Sequence, residues 1–230
     1  MEIQLDGHLV ATTMRTPGDD YELAVGFLHA GGLLDGAPVQ GVRYCAAGSA
    51  LASGFNVVTV ETGGQAQAPL SRLSTSACGL SGATTVEQLA SRLRPITGST
   101  AFPLELLAGI PERMADEQGL FEMTGAVHGA VAFDRQGEPV VVREDVSRHN
   151  AVDKVVGRLL LDQRVPAFEL GLYVSSRASF EIVQKAWAAG LGTIVAAGAP
   201  TALSVDAARA ANITMVGSVG DGHLHVYSPA

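Results

Sequence analysis

The chain has 230 residues, of which 47% are hydrophobic and 17% are charged, and its formal net charge is −8. These values predict a globular protein with a buried core rather than a disordered chain, and the acidic balance argues against a nucleic-acid partner, since phosphate binding needs a basic surface. There is no apolar run of membrane-spanning length and no basic-then-apolar leader, so we expect a cytoplasmic protein outside the membrane, with Cys45 and Cys78 as free thiols.

The first half of the chain predicts a small α+β subdomain. Its predicted elements are two strands within 2–15, a helix at 20–29, strands at 41–46 and 55–61, and helices at 85–94 and 104–118. Asp19 or Asp20 is expected to cap the first helix, and Gly31-Gly32 to end it. Cys45 lies in a predicted strand, which favours a small buried residue over a resolving thiol.

The second half alternates strands and helices. Its predicted elements are a hairpin of strands 127–133 and 139–143, helix 148–161, strand 170–175, helix 178–189, strand 193–197, helix 203–211, and strands 213–218 and 223–228. This alternation is typical of βαβ units with parallel strands. We therefore predict an α/β fold with a three-layer α/β/α core over 121–230 and the smaller subdomain over 1–120.

The loop around Cys78 suggests an accessible thiol. Residues 62–78 are rich in small and polar residues, and glycines follow at Gly79 and Gly82. A helix that begins just after the loop, capped by Thr84 or Thr85, would lower the pKa of the thiol. Cys78 is therefore the candidate nucleophile, with a loop cysteine of no chemical role as the alternative.

The segment 144–154 carries a high density of polar groups at a predicted helix start. Two readings are open, a capped and solvated helix face, with Ser147 as the cap, or a functional site. A site is favoured because Arg148, His149 and Asn150 cluster on the first turn, where backbone N–H groups are free. His128, Asp145 and His149 are the candidate acid–base groups, and the candidate ligand contacts here are Arg148, Asn150 and Lys154.

Further candidate contacts lie where predicted strands end, since ligands of parallel sheets bind at the carboxyl ends of the strands. Arg177 at a helix start is typical of an anion site. For the small residues, capping and turn geometry are the alternative. The candidates at these ends are Ser176, Arg177, Ser179, Ala199, Pro200 and Thr201.

The sequence does not predict a metal site. A zinc deaminase needs H-x-E and C-x-x-C motifs, and this chain has His128-Gly129-Ala130 and no C-x-x-C. His223 and His225 would share a strand face, but no third ligand is evident. We expect neither zinc nor another resident metal.

Five segments in the same order resemble the formate dehydrogenase accessory protein family, FdhD. The most specific is Glu144 to Lys154, which is similar to the family block E-D-V-G-R-H-N-A-V-D-K. The others are Met14 to Asp20 with Glu22 to Leu28, Thr75 to Gly79, Phe121 to His128, and Arg177 to Glu181 followed by Ala199 to Thr201. The resemblance spans nearly the whole chain.

The resemblance implies a cytidine-deaminase-like core and a sulfurtransferase. Family members pass persulfide sulfur from a cysteine desulfurase to the molybdopterin guanine dinucleotide cofactor of formate dehydrogenase, and a homodimer is expected. The family loop reads C-G-x-C-G, and its first cysteine, here Cys78, carries the persulfide, while Ser81 stands at the second. The segment aligned with a cofactor-holding loop of the family comprises Gly220, Asp221, Gly222, His223, Leu224 and His225.

Two other functions remain open at this point. The chain is either an enzyme on the same scaffold that acts on a small metabolite, with Cys78 or a His/Asp group in acid–base chemistry, or a non-catalytic binding protein. The first is suggested by Ser81 and by Asp221, which replaces a basic residue of the family loop.

Overall fold

The computed structural model describes residues 1–45, 49–66, 85–219 and 223–229, and within them it forms ten strands and seven helices. The strands are β1 (Glu2–Leu5), β2 (His8–Thr12), β3 (Gly41–Tyr44), β4 (Val57–Glu61), β5 (His128–Phe133), β6 (Pro139–Asp145), β7 (Gly171–Arg177), β8 (Thr193–Gly198), β9 (Thr214–Val219) and β10 (His223–Ser228). The helices are α1 (Asp20–Ala30), α2 (Val86–Arg92), α3 (Leu104–Ala115), α4 (Gly119–Thr124), α5 (Arg148–Leu161), α6 (Phe180–Ala189) and α7 (Ala202–Ala211). The predicted α/β class is confirmed.

The first four strands form one mixed sheet in the order β2-β1-β4-β3. β1 pairs with β4 in parallel, and the two outer pairs are antiparallel. The inward side chains, such as Ile3, Leu5, Val58 and Val60, pack against α1.

Helix α1 is buried on most of its circumference because it lies between the first sheet and two later helices. Gly26 of α1 and Gly157 of α5 face each other so closely that a Cβ on either would overlap a carbonyl oxygen, that of Asp153 or of Glu22. Only glycine permits such an approach of two helix backbones.

The other six strands form the second mixed sheet in the order β10-β9-β8-β7-β5-β6. β7, β8 and β9 run parallel, as the strand–helix alternation predicts, while the β5–β6 hairpin and β10 are antiparallel to their neighbours. The predicted hairpin turn is present, with the N–H of Gly137 donating to the carbonyl of Asp134.

Helices pack on both faces of this sheet. Alternate strand residues, such as Leu172, Val174 and Ile194, face a core shared with α2, α5, α6 and α7. The residues between them, such as Tyr173 and Val195, face α3 on the opposite side. The carboxyl ends of β6 to β9 and the start of β5 therefore lie at one edge of the sheet.

Some predicted boundaries were wrong. The helix expected over 104–118 ends at Ala115, and a separate short helix, α4, follows it. β7 continues to Arg177, so α6 begins at Phe180 rather than at residue 178. β6 likewise extends to Asp145, which places this carboxylate at the strand end.

The expected cap position of α1 is confirmed, but the capping hydrogen bond is absent. Asp19 occupies the cap position in a left-handed conformation, φ 55°, and its side chain makes no capping hydrogen bond. Asp20 instead pairs with Arg15 at 2.9 Å. At the other end the chain turns through Gly32 with φ 71°, as expected for a glycine after a helix.

Cys45 is not the buried strand residue that the sequence favours. It follows β3 with φ 88°, is partly exposed, and its sulfur lies 3.7 Å from a guanidinium nitrogen of Arg43. A search of the described helices finds none that is both long and apolar enough to cross a membrane.

Candidate functional site

The carboxylate of Asp145 is the anchor of the segment 144–154. It is fully buried, forms an ion pair with the Lys154 ammonium at 2.9 Å, and accepts three hydrogen bonds, from the Asn150 amide at 3.2 Å and from the backbone N–H groups of Thr16 and Ser147 at 3.1 and 2.9 Å. Both oxygens of this carboxylate are thus occupied by protein partners. The geometry therefore favours a positioning role for Asp145 over acid–base chemistry.

Lys154 and Asn150 attach the chain after β2 to the start of α5. The Lys154 ammonium donates to the backbone carbonyls of Thr16 at 3.0 Å and Glu144 at 3.2 Å, besides Asp145. The Asn150 amide donates to the carbonyl of Met14 at 2.7 Å. Both side chains are buried, and their donors are directed at protein acceptors rather than at solvent.

His149 is a neutral, buried member of this turn. Its Nε2 shares a 3.1 Å hydrogen bond with Ser179 Oγ at the start of α6, and lies 3.7 Å from a Glu181 carboxylate oxygen. Burial, and then the nearby charges of Lys185 and Arg148, lower the pKa of His149 to about 4. At neutral pH it is therefore a hydrogen-bonding group rather than a cation.

Arg148 is the cationic side chain of this turn and the first residue of α5. It is half-buried, and its Nε is enclosed without a hydrogen-bond partner among the described residues. Burial, with a smaller effect of the Arg148 charge, also lowers the pKa of His128. The structure thus brings His128, Arg148 and His149 together, as the sequence predicts.

Arg177 and Ser176 end β7 at the same edge of the sheet. Arg177 is exposed, and its side chain lies over Gly198, where a Cβ would approach the Arg177 Cγ to 2.9 Å. Ser176 makes a long 3.4 Å contact with the carbonyl of Arg177. Ser179 precedes α6 without a side-chain capping bond, because its hydroxyl bonds to His149.

The turn after β8 combines exposure with capping. Ala199 and Thr201 are exposed and Pro200 is partly exposed. The Thr201 hydroxyl accepts the Ser204 N–H at 3.2 Å in a capping box at the start of α7. Helix capping therefore explains the presence of Thr201 without a ligand. Ala199 and Pro200 have small side chains that leave this end of the sheet accessible.

Several predicted residues lie outside the described part of the chain. They are Cys78 with Ser81, and Gly220, Asp221 and Gly222. His223 opens β10, beside the end of β9. Leu224 packs on the α3 side of the sheet, and His225 is exposed.

A cleft of about 430 Å³ opens on the α3 side of this sheet edge. It is lined by Gln118, Phe121, Gly125, Ala126, Val127, His128, Tyr173 and Ser175. Of these residues, only His128 was predicted from the sequence as a candidate site residue. Gln118 and Phe121 were missed because Gln118 precedes a short helix that no periodicity indicates and Phe121 lies in that helix, and Tyr173 was missed because it lies inside a strand.

A buried ion pair was missed as well. The Lys185 ammonium lies 2.7 and 2.9 Å from the two Asp153 oxygens, and both side chains are buried between α1, α5 and α6. Burial raises the pKa of Asp153 to about 6 against the attraction of Lys185. Over the described ranges, no three His, Cys, Asp or Glu side chains form a group that could hold a metal ion.

A family model and curated relatives match this chain over its full length. A model described as the FdhD/NarQ family matches residues 1–230. Curated relatives named "Sulfur carrier protein FdhD" include those of Streptomyces coelicolor, 42% identical over 240 residues, and Nocardia farcinica, 41% identical over 238 residues. These alignments cover 100% of this chain and 85% and 84% of the two relatives.

A solved structure has a similar fold. It is a crystal structure assigned as a formate dehydrogenase accessory protein from Desulfotalea psychrophila, with a TM-score of 0.75 and 22% sequence identity. The similarity covers 99% of this chain and 85% of that one. At this level of identity, the comparison shows a shared fold.

Proposed function

Since the chain belongs to the FdhD/NarQ family, we propose that it is a sulfur carrier in the maturation of formate dehydrogenase. The observation that carries the proposal is the full-length match, at about 40% identity, to curated relatives named as sulfur carriers. In the finer form of the proposal, a cysteine desulfurase supplies the sulfur and molybdopterin guanine dinucleotide receives it.

Cys78 is the proposed carrier thiol. Its thiolate attacks the outer sulfur of the desulfurase persulfide, that S–S bond breaks, and the desulfurase cysteine leaves as a thiolate. The product is a persulfide on Cys78, and no external oxidant is needed because sulfane sulfur is only passed on. Ser81 cannot hold sulfur, so transfer within this loop relies on one thiol.

The sheet edge offers groups that suit the anionic part of the acceptor. The Arg148 Nε is enclosed and unpartnered within the described residues, and Arg177 is exposed at a strand end. Helices α6 and α7 begin at the same edge, and the positive end of a helix dipole suits phosphate oxygens. These observations support contacts with Ser176, Ser179, Ala199, Pro200 and Thr201, and the resemblance to the family adds residues 220–225 to the proposed contacts.

The remaining predicted residues take supporting roles in this proposal. Asp145, Asn150 and Lys154 hold the turn that carries Arg148, since their polar atoms bond to one another and to the chain after β2. His149 positions Ser179 as a neutral partner. His128 is half-buried and lines the cleft, which makes it a candidate acid–base group for the transfer.

Wider features of the family complete the proposal. They are a cytidine-deaminase-like core over 121–230, a subdomain over 1–120, a homodimer in the cytoplasm, and direct contact with the desulfurase and with formate dehydrogenase. The arrangement of α/β layers around the second sheet supports the first of these.

Mass spectrometry after incubation with a cysteine desulfurase and cysteine tests the carrier role. We expect a peptide containing Cys78 to gain about 32 Da, the mass of one sulfur atom, and to lose it on reduction. Cys45→Ser should load normally, while Cys78→Ser should not load. A label found on Cys45 alone, or on neither cysteine, contradicts the proposal.

The two alternatives make different predictions. An acid–base enzyme that uses Asp145 has little support here, because four donors already occupy that carboxylate. Cys78→Ser would leave the activity of such an enzyme intact. A non-catalytic binding protein would take up no sulfur under any of these conditions.

A further inference from the structure

Helices α5 and α6 meet through two polar contacts that lie one turn apart on each helix. The outer contact joins His149 to the start of α6, where its Nε2 lies 3.7 Å from a Glu181 oxygen. The inner contact joins Asp153, four residues after His149, to Lys185, four residues after Glu181. Because residues at this spacing share one face of a helix, the two helices run side by side in the same direction with matching polar positions.

The inner contact is closed to solvent. The side chain of Lys185 is 0% exposed and that of Asp153 is 1% exposed. The Lys185 ammonium lies 2.7 and 2.9 Å from the two Asp153 oxygens, and 5.8 Å from the centre of the Phe27 ring on α1. Replacing such a pair with well-packed apolar residues often leaves stability unchanged or higher, because both charges had to leave water. A gain in stability is therefore a poor explanation for this pair.

A buried ion pair does define the relative position of the helices that carry it. The apolar core around it, which includes Val152, Val156 and Ala186, excludes water but has no preferred direction. The Lys185 ammonium, in contrast, reaches both Asp153 oxygens in one arrangement of α5 and α6. A displacement of either helix would leave two buried charges without partners, which is strongly unfavourable.

The outer contact is the weaker of the two and depends on the position of α6. Ser179 immediately precedes this helix, and its hydroxyl shares a 3.1 Å hydrogen bond with His149, which is neutral. A single hydrogen bond between uncharged groups stabilises a contact only modestly. Lys185 lies six residues after Ser179 on the same helix, so the ion pair holds the element that carries this hydroxyl.

We propose that the Asp153–Lys185 pair is a positioning element of the sheet edge, which holds α6 against α5 so that Ser179 stays bonded to His149. Both residues of the pair are buried, and they act on the site through Ser179 rather than by touching a ligand. The inference rests on the proposed function, because Ser179 is one of the proposed acceptor contacts.

A different set of contacts joins α6 to α1. The Gln184 amide donates to the carbonyl of Ala30 at 3.1 Å, and His29 Nε2 shares a 2.9 Å hydrogen bond with the carbonyl of Ala188. His29 and His149 thus bond to the same helix from two different neighbours. Their ring signals in a nuclear magnetic resonance spectrum therefore report separately on the α1 contact and on the α5 contact.

These ring signals test the proposal in the double variant Asp153→Leu with Lys185→Met, which removes both charges and keeps large side chains. Spectra at about pH 8 compare neutral rings, since the ordinary pKa of histidine is about 6.5. We expect the His149 signals to split into more than one set, while His29 keeps one set. His149→Asn and His29→Asn assign the signals. Unchanged His149 signals, or equal changes at both rings, overturn the proposal.

Gln184→Met is the matched control, since it removes a buried polar contact at the neighbouring residue, on the side of α6 that faces α1. It should leave the His149 signals as they are in the wild type, and a split His149 signal in this variant also counts against the proposal. If the double variant does not fold, Asp153→Asn with Lys185→Gln takes its place. Loss of the fold in both double variants overturns the proposal, because the pair would then be a source of stability.

Persulfide loading of Cys78 in the wild type separates this inference from the proposed function. A wild type that takes up no sulfur contradicts the sulfur-carrier proposal, whatever the ring signals show. A wild type that loads sulfur, together with unchanged His149 signals in the double variant, contradicts the positioning role of the ion pair alone.

Discussion

At the scale of single residues, the pair of Asp145 and Lys154 should be the most sensitive ionic contact of the site. Both side chains are at most 1% exposed. Asp145→Asn leaves the ammonium of Lys154 buried without its counter-charge, and we expect a loss of about 3–5 kcal/mol in the free energy of unfolding. Urea denaturation followed by circular dichroism measures this loss.

Asp206→Asn is the control for this variant. Its partner Arg209 lies 3.9 Å away, and both side chains are more than 60% exposed, so the change should stay within about 0.5 kcal/mol. Equal effects of the two variants would show that Asp145 does not anchor the turn.

His149 predicts a dependence of stability on pH. Burial, with Lys185 and Arg148, lowers its pKa from 6.5 to about 4 in the folded state. Between pH 6.5 and pH 4 His149 is protonated in the unfolded chain but neutral in the folded chain. Its contribution to the free energy of unfolding is therefore fully present above pH 6.5 and is lost as the pH falls. The loss should approach about 3 kcal/mol at most.

Comparison with His149→Asn isolates this contribution. Asp153, whose pKa burial raises to about 6, acts with the opposite sign in an overlapping range and is common to both proteins. The difference in free energy of unfolding between wild type and variant should therefore shrink from pH 6.5 to pH 4 in urea titrations. A constant difference would mean that the pKa of His149 is the same in the folded and the unfolded chain.

At the scale of elements, the contact of α1 with α5 depends on two glycines. Gly157→Ala would drive a methyl group into the carbonyl of Glu22, and the helices would have to separate. We expect a destabilisation of about 3 kcal/mol or more, measured as a lowered denaturation midpoint.

Gly109→Ala in α3 is the matched helical control. Nothing lies within 4 Å of the position its Cβ would take, so alanine should stabilise the protein by about 0.5–1 kcal/mol through its higher helix propensity. Destabilisation of similar size in both variants would point to the loss of glycine itself rather than to the helix contact.

At the scale of the whole molecule, periodicity predicted the strand and helix order, because long amphipathic or apolar segments dominate it. It failed at α4, a six-residue helix whose start is capped by the distant Glu144. Periodicity also could not predict which partners the neighbours Asp153 and Lys154 would take. Successive helix residues face different ways, and here their partners are Lys185 on α6 and Asp145 on β6.

The candidate site was predictable only in part. The clustering of Arg148 and His149 with the end of β7 follows from the rule that parallel strands end at one edge. That rule does not predict which polar groups already have hydrogen-bond partners within the protein. Asp145 looks like a general base in sequence and is an anchor in the structure, since its donors include Thr16, from far earlier in the chain.

The burial of α1 against α5 has a consequence for the order in which the chain folds. The contacts of α1 join residues far apart in sequence, such as Glu22 and Arg143 of the neighbouring β6, which are separated by 121 positions. During synthesis, the apolar side of α1 must therefore wait until more than half of the chain has left the ribosome. Such a high contact order slows folding and leaves the nascent N-terminal part exposed to aggregation, which makes it a natural client for a chaperone.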